Sequence, residues 1–161
     1  MSTDDKGRSA RQARSIAARL YAVQALFQME AGGQSADRVG AEFRHWRIGE
    51  TIEGAEMPEA DVDLFERILG DVVTWQARID QMTDRALVAK WKIDRIDPVL
   101  RALFRAAGAE LVGGKTPPRV VIKEYVRLSD DFAAEERETR FVNAVLDHMA
   151  HEARPEEMGA K

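Results

Sequence analysis

The chain has 161 residues, no cysteine, and 28 acidic against 24 basic side chains, a formal net charge of −4. That length can bury a hydrophobic core without covalent staples, and the lack of cysteine excludes disulfides, thiolate metal centres and thiol nucleophiles. No apolar run approaches the ~20 residues that span a bilayer, and the opening residues carry no signal-peptide apolar core, so a cytoplasmic protein with no membrane partner is expected.

Helical spacing runs through almost the whole chain. Ile16, Leu20, Val23 and Phe27 step by four, three and four, which predicts a helix over about 9–31 with those four residues inward, stopped by Gly32-Gly33. Ser35 reads as the N-cap of a second helix with Val39, Phe43 and Trp46 inward. Residues 48–58 are acidic, hold two glycines and end in Pro58, which reads as a solvated loop. A long third helix follows, with Val62, Phe65, Leu69, Val72, Ile79 and Met82 on one stripe and Glu59, Asp61 and Asp63 near its start, where acids are favoured.

The pattern breaks over 83–95 into a short amphipathic piece containing Leu87, Val88 and Trp91. Asp97-Pro98 then reads as an N-cap followed by a first helical proline. That helix holds Leu100, Leu103, Phe104 and Leu111 and ends at Gly113-Gly114. Thr116-Pro117 repeats the start signal for a helix with Ile122, Tyr125 and Val126 inward. Val120-Val121-Ile122 would also suit a strand, but no segment alternates to pair with it. A last helix places Phe141, Val145, Leu146 and Met149 inward, and residues 153–161 read as a flexible tail. The expectation is an all-α fold of about seven helices and no strands, in two packed three-helix subdomains at 1–83 and 84–152.

Chemical motifs are weak. Gly114-Lys115-Thr116 ends like a phosphate-binding loop, but the required earlier glycine is Ala109, and a helix rather than a strand precedes it, so it reads as a helix stop. Glu42-x-x-His45 is half of a di-iron signature whose second copy is missing. His148 and His151 have no third ligand in sight. No metal and no cofactor are expected. With no cysteine, three histidines and no G-x-S-x-G elbow, no catalytic residue is expected either. The acid-rich stretches at 50–66 and 130–138 read as solvated helix starts and loops. Ala106-Ala107-Gly108-Ala109 places a costly glycine inside a strong helix, which implies close packing, either internal or with a partner.

Charge carries the functional signal. Residues 6–29 hold five bases (Lys6, Arg8, Arg11, Arg14 and Arg19) and no acid, while the other 137 residues hold 19 bases against 28 acids. Ordinary solvated faces mix both signs. On a helical wheel Arg11 and Arg14 project opposite the Ile16–Phe27 seam, and Arg8 and Arg19 lie beside it. Tyr21 and Gln28 fall on the side of Arg14, with Gln24 nearer the buried side. A row of guanidinium groups can follow a phosphate backbone, and neighbouring Tyr and Gln can stack on or bond to bases, so RNA or DNA contact is expected here.

Ala18-Arg19-Leu20-Tyr21-Ala22-Val23-Gln24-Ala25-Leu26-Phe27 resembles the arginine-led first helix of the NusB family of transcription antitermination factors. Arg105-Ala106-Ala107-Gly108-Ala109-Glu110-Leu111 resembles its middle-helix signature, and Pro117 through Leu128 its proline-started helix, with Ile122 and Glu124 at characteristic positions. Arg140-Phe141-Val142-Asn143-Ala144-Val145-Leu146 is similar to its terminal signature, although Ala144 stands where glycine is usual and Arg137 where an acid can occur.

The resemblance implies a non-enzymatic, all-helical protein that binds boxA-type single-stranded RNA in ribosomal RNA leaders. It implies action with the ribosomal protein NusE inside an RNA polymerase antitermination complex, with homodimers in some members. Arg19 matches an RNA-contacting arginine by motif and Arg140 a basic position of the terminal signature. Arg8, Arg11 and Arg14 are candidates by charge and helix face, and Tyr21, Gln24 and Gln28 as base contacts. The competing readings are a protein-only helical adaptor, similar to the accessory region of some ribosomal RNA methyltransferases, and a self-associating module. The missing glycine-rich cofactor segment disfavours a methyltransferase.

Overall fold

The structure, a computed structural model, describes residues 3–87, 96–131 and 136–159, with side chains described from residue 7 onward within these ranges. Among the described residues are α1 (Thr3–Gly32), α2 (Ala36–Trp46), β1 (Thr51–Ile52), β2 (Ala55–Glu56), α3 (Val62–Ala86), α4 (Pro98–Gly113), α5 (Pro118–Asp130), α6 (Glu136–Ala153) and α7 (Pro155–Met158). The fold is all-α, as expected. No helix among the described residues is long and apolar enough to cross a membrane.

The chain divides into two compact units, Met1–Gly70 and Asp71–Lys161. The division at 70/71 lies within α3, and so does residue 83, where the sequence pattern breaks. Thr83 is fully buried there, and its hydroxyl donates to the Ile79 carbonyl at 2.7 Å, so the polar group is satisfied within the helix and does not break it. Leu87 is buried, while Val88 and Trp91 lie outside the described residues.

In the first unit, the Ser35 cap forms as its sequence dictates, its Oγ accepting from the Arg38 amide at 3.2 Å. The buried face of α1 differs from the expected seam. Ala18, Ala22 and Ala25 are each 0% exposed and Tyr21 is 2% exposed, whereas Phe27 is 39% exposed and Ile16 and Leu20 are half-buried. Of the four seam residues only Val23 is buried. Small residues let α1 approach its neighbours closely, and counting large aliphatic side chains places the core on the wrong side of the helix.

Phe43 of α2 lies against Tyr21 edge-on, with centroids 6.1 Å apart, and stacks on Phe65 of α3 at 5.7 Å. Trp46, expected inward, is 72% exposed because α2 ends at that residue. The loop at 48–58 contains an antiparallel hairpin, Thr51 opposite Glu56 and Ile52 opposite Ala55. Glu53 and Gly54 form its turn at φ 50° and 83°, the left-handed pair that a two-residue hairpin needs. Two-residue strands carry no readable alternation, so the expectation of no strands fails at this point. Past the hairpin, Asp61 caps α3, its Oδ1 accepting from the Leu64 amide at 3.0 Å.

In the second unit, Asp97 caps α4 through a 2.7 Å bond from the Val99 amide, with Pro98 in the first turn. The small-residue patch packs internally: Ala106, Ala107 and Ala109 are 0% exposed, and a Cβ on Gly108 would press on Ile79 Cγ2 of α3. Ile79 is β-branched and fully buried, so it has little freedom to yield. Gly108→Ala is therefore expected to lose about 1–2 kcal/mol of stability, overpacking outweighing the ~1 kcal/mol gain in helix propensity. A lowered urea midpoint at unchanged m-value is the measurement that checks it.

The start of α5 also differs from expectation. Its cap position is Pro117, and the Thr116 hydroxyl instead donates to Glu110 Oε1 at 3.2 Å. Glu110 is 3% exposed and accepts from the Tyr125 hydroxyl at 2.6 Å through its other oxygen, so its burial is compensated. Val121, Tyr125 and Leu128 face inward, while Ile122 and Val126 are half-buried. Phe141 of α6 meets Phe104 edge-on at 6.4 Å.

The tail expected over 153–161 is instead helical at Pro155–Met158. Met158 is buried, its carbonyl accepts from Arg119 Nη2 at 2.8 Å, and Arg154 grips Glu157 through two bonds of 2.6 and 2.7 Å. A single methionine after three charged residues gives no periodic signal, which is why this turn is invisible to pattern reading.

Candidate nucleic-acid interface

Arg8, Arg11 and Arg14 recur every third residue of α1, so at ~100° per residue they share an arc of about 120° and climb ~4.5 Å per step. Arg11 and Arg14 lie within ~40° of the line through Ala18, Ala22 and Ala25. The arginines therefore continue the buried stripe of the helix toward its N-terminus, where cover ends: residues 8–13 are all exposed. The stripe changes from alanine to arginine where it leaves the core.

Arg14 marks the transition. It is half-buried, and its carbonyl accepts from the Asp61 amide at 3.0 Å, which ties α1 to the start of α3 within the first unit. Among the described residues none of Arg8, Arg11 and Arg14 has a carboxylate partner. Arg8 and Arg11 are exposed to solvent, as contact with an anionic ligand requires.

The other expected contacts separate into exposed and enclosed groups. Gln24, read as nearer the buried side, is exposed. Gln28 is half-buried, and its amide donates to Gln34 Oε1 and to Glu42 Oε2 at 3.1 Å each. Arg19 is only 6% exposed. Tyr21 cannot offer its ring to a base, because it is 2% exposed and its hydroxyl donates to the Pro58 carbonyl at 2.7 Å. Burial also pushes the Tyr21 phenol above its ordinary pKa, keeping it a neutral donor. Arg140 belongs to the second unit, where its side chain is 71% exposed and 4.0 Å from Glu136.

The weaker motifs have structural explanations. Gly114 ends α4, its amide donating to the Glu110 carbonyl at 3.1 Å, and Thr116 is bonded to Glu110 as described, so Gly114-Lys115-Thr116 forms no phosphate cradle. Glu42 is engaged by Gln28 and lies 3.9 Å from Arg47. His151 contacts the carbonyl and carboxylate of Asp147, and His148 is exposed. Among the described residues no three His, Asp or Glu side chains converge as a metal site would need.

One residue of this surface escaped sequence reading. Trp46 was assigned to the core by its spacing from Phe43, yet it ends α2 in the exposed run Arg44-His45-Trp46, followed by half-buried Arg47. The basic flanks on both sides of the tryptophan were the available signal.

Comparison with known proteins places this geometry in context. A model of the NusB family matches residues 16–151. The chain is 46% identical over 142 residues to the transcription antitermination protein NusB of Maricaulis maris, covering 88% of each chain. It is 44% identical to that of Rhodopseudomonas palustris, covering 88% of this chain and 83% of the relative. Among solved structures, NusB of T. maritima superposes with a TM-score of 0.67 at 25% identity, covering 87% of this chain and 93% of that one.

Proposed function

The chain belongs to the NusB family of non-catalytic transcription antitermination factors, and from that premise we propose that it binds boxA-type single-stranded RNA in ribosomal RNA leaders together with the ribosomal protein NusE. In this reading the pair joins an RNA polymerase antitermination complex in the cytoplasm. Arg8, Arg11 and Arg14 neutralise successive phosphates, and Gln24, exposed on the same helix, offers an amide to a base edge. Arg19 and Tyr21 act from within, holding α1 against its unit so that the arginines stand on a rigid support. Arg140 is a further phosphate contact.

The observation that supports this best is the row Arg8–Arg11–Arg14, exposed to half-buried and without a carboxylate partner among the described residues, on a chain whose net charge is −4. On a chain of net negative charge, a local row of arginines attracts a polyanion to one helix end, which gives orientation as well as attraction. Fluorescence anisotropy with a labelled boxA-type oligonucleotide and a scrambled control, with and without NusE, tests it. Preferential binding of boxA RNA, strengthened by NusE, is the expected result. Equal binding of both oligonucleotides would contradict recognition of boxA RNA, and binding of neither under any condition would reduce the protein to a protein-interaction adaptor.

A further inference from the structure

We propose that Trp46 is a base-stacking platform, its indole face taking one unpaired nucleobase of the RNA strand whose phosphates lie on α1. The inference rests on the RNA-binding reading above and adds to it a specific contact outside α1. At 72% exposed, Trp46 is the most exposed of the large hydrophobic side chains described. Its indole is therefore open to contact from solvent, three residues beyond the enclosed Phe43.

The platform is rigid. Three residues before it, Phe43 is 1% exposed and held between the rings of Tyr21 and Phe65. The Phe43 carbonyl accepts from both the Arg47 and Ile48 amides, at 3.1 and 2.9 Å, which locks the end of α2 on either side of the tryptophan. The Arg47 guanidinium sits 4.8 Å over the Phe43 ring, and Arg44 is fixed to Glu66 at 3.0 Å. Trp46 therefore projects from a braced helix end with its flanking cations already in place, and little ordering remains for binding to complete.

The placement suits the same strand. Within the first unit α2 runs back along α1: Glu42 meets Gln28, and Phe43 meets Tyr21. Extending α2 to Trp46 carries it toward the half of α1 that bears Arg14, which lies seven residues, or ~10 Å of helix rise, before Tyr21.

The local charge selects a base over other ligands. Arg44, His45 and Arg47 flank the indole, but the exposed residues Glu50, Glu53 and Glu56 follow immediately in the hairpin segment. Those acids repel a phosphate. They do not repel the face of a nucleobase, and stacking tolerates any base because each has a π-face.

The test compares wild-type protein, Trp46→Ala, Trp46→Phe and the Arg8/Arg11/Arg14→Ala triple variant for boxA-type RNA binding across a salt series, with circular dichroism to verify folding. Trp46→Ala is expected to bind about tenfold more weakly with an unchanged salt slope, since it removes a stack and no phosphate contact. Trp46→Phe should retain most of the affinity while losing much of the tryptophan quenching that RNA produces in the wild type. Wild-type affinity and quenching in the Trp46 variants would overturn the proposal, as would unchanged RNA affinity combined with lost NusE binding, which would assign Trp46 to a protein contact. Failure of the wild type to bind RNA at all would instead overturn the reading on which it rests.

Discussion

Replacing Arg8, Arg11 and Arg14 together with alanine is expected to weaken binding to a boxA-type RNA by about two decades at 0.1 M salt. It should also lower the slope of log K against log salt by about 2. Each phosphate contact to a single strand contributes ~0.7 to that slope through counterion release, so three contacts account for both figures. The change is confined to binding because alanine is the best helix former and Arg8 and Arg11 are exposed, leaving α1 helical. A variant that loses affinity with its slope intact would have lost something other than phosphate contacts. A variant that keeps both would place the RNA elsewhere.

Phe43→Ala is expected to cost about 3–5 kcal/mol of stability, the range for deleting a buried aromatic ring. Phe43 is 1% exposed and joins three elements of the first unit, touching Tyr21 of α1 and Phe65 of α3 while the Arg47 guanidinium covers its ring. Removing the ring leaves a cavity between fully buried neighbours and frees the end of α2. Set against a total of 5–15 kcal/mol for a typical domain, the loss is large enough to be visible in urea unfolding followed by far-UV circular dichroism. A loss under ~1 kcal/mol would mean that the surrounding side chains collapse into the gap, and the bracing of Trp46 would then have no basis.

How much of this was legible in the sequence depends on how local the governing physics is. The Ser35 and Asp97 caps form where the sequence places them, because one side chain and a backbone amide two or three residues on decide the matter. The core face of α1 was misread because Ala18, Ala22 and Ala25 carry little hydrophobic weight in a pattern, yet permit the closest approach. Gly108 gave the opposite lesson: its cost inside a helix signalled tight packing, and Ile79 supplies it.

At the candidate site, the arginine row could be read from charge alone, since no acid stands among residues 6–29. The enclosure of Tyr21 and Arg19, and the exposure of Gln24 and Trp46, depend on where neighbouring helices end. No periodicity within a single helix encodes that. Residues at a helix terminus follow the spacing of the core and still outrun it, as Trp46 does three residues beyond Phe43.

The most direct measurement is photo-crosslinking of a 4-thiouridine-substituted boxA-type RNA to the full chain with NusE, followed by peptide mapping by mass spectrometry. Crosslinks should concentrate on the first turns of α1 around Arg8, Arg11 and Arg14. Crosslinks confined to the second unit, with the α1 peptides unmodified, would contradict the assignment of RNA to this helix.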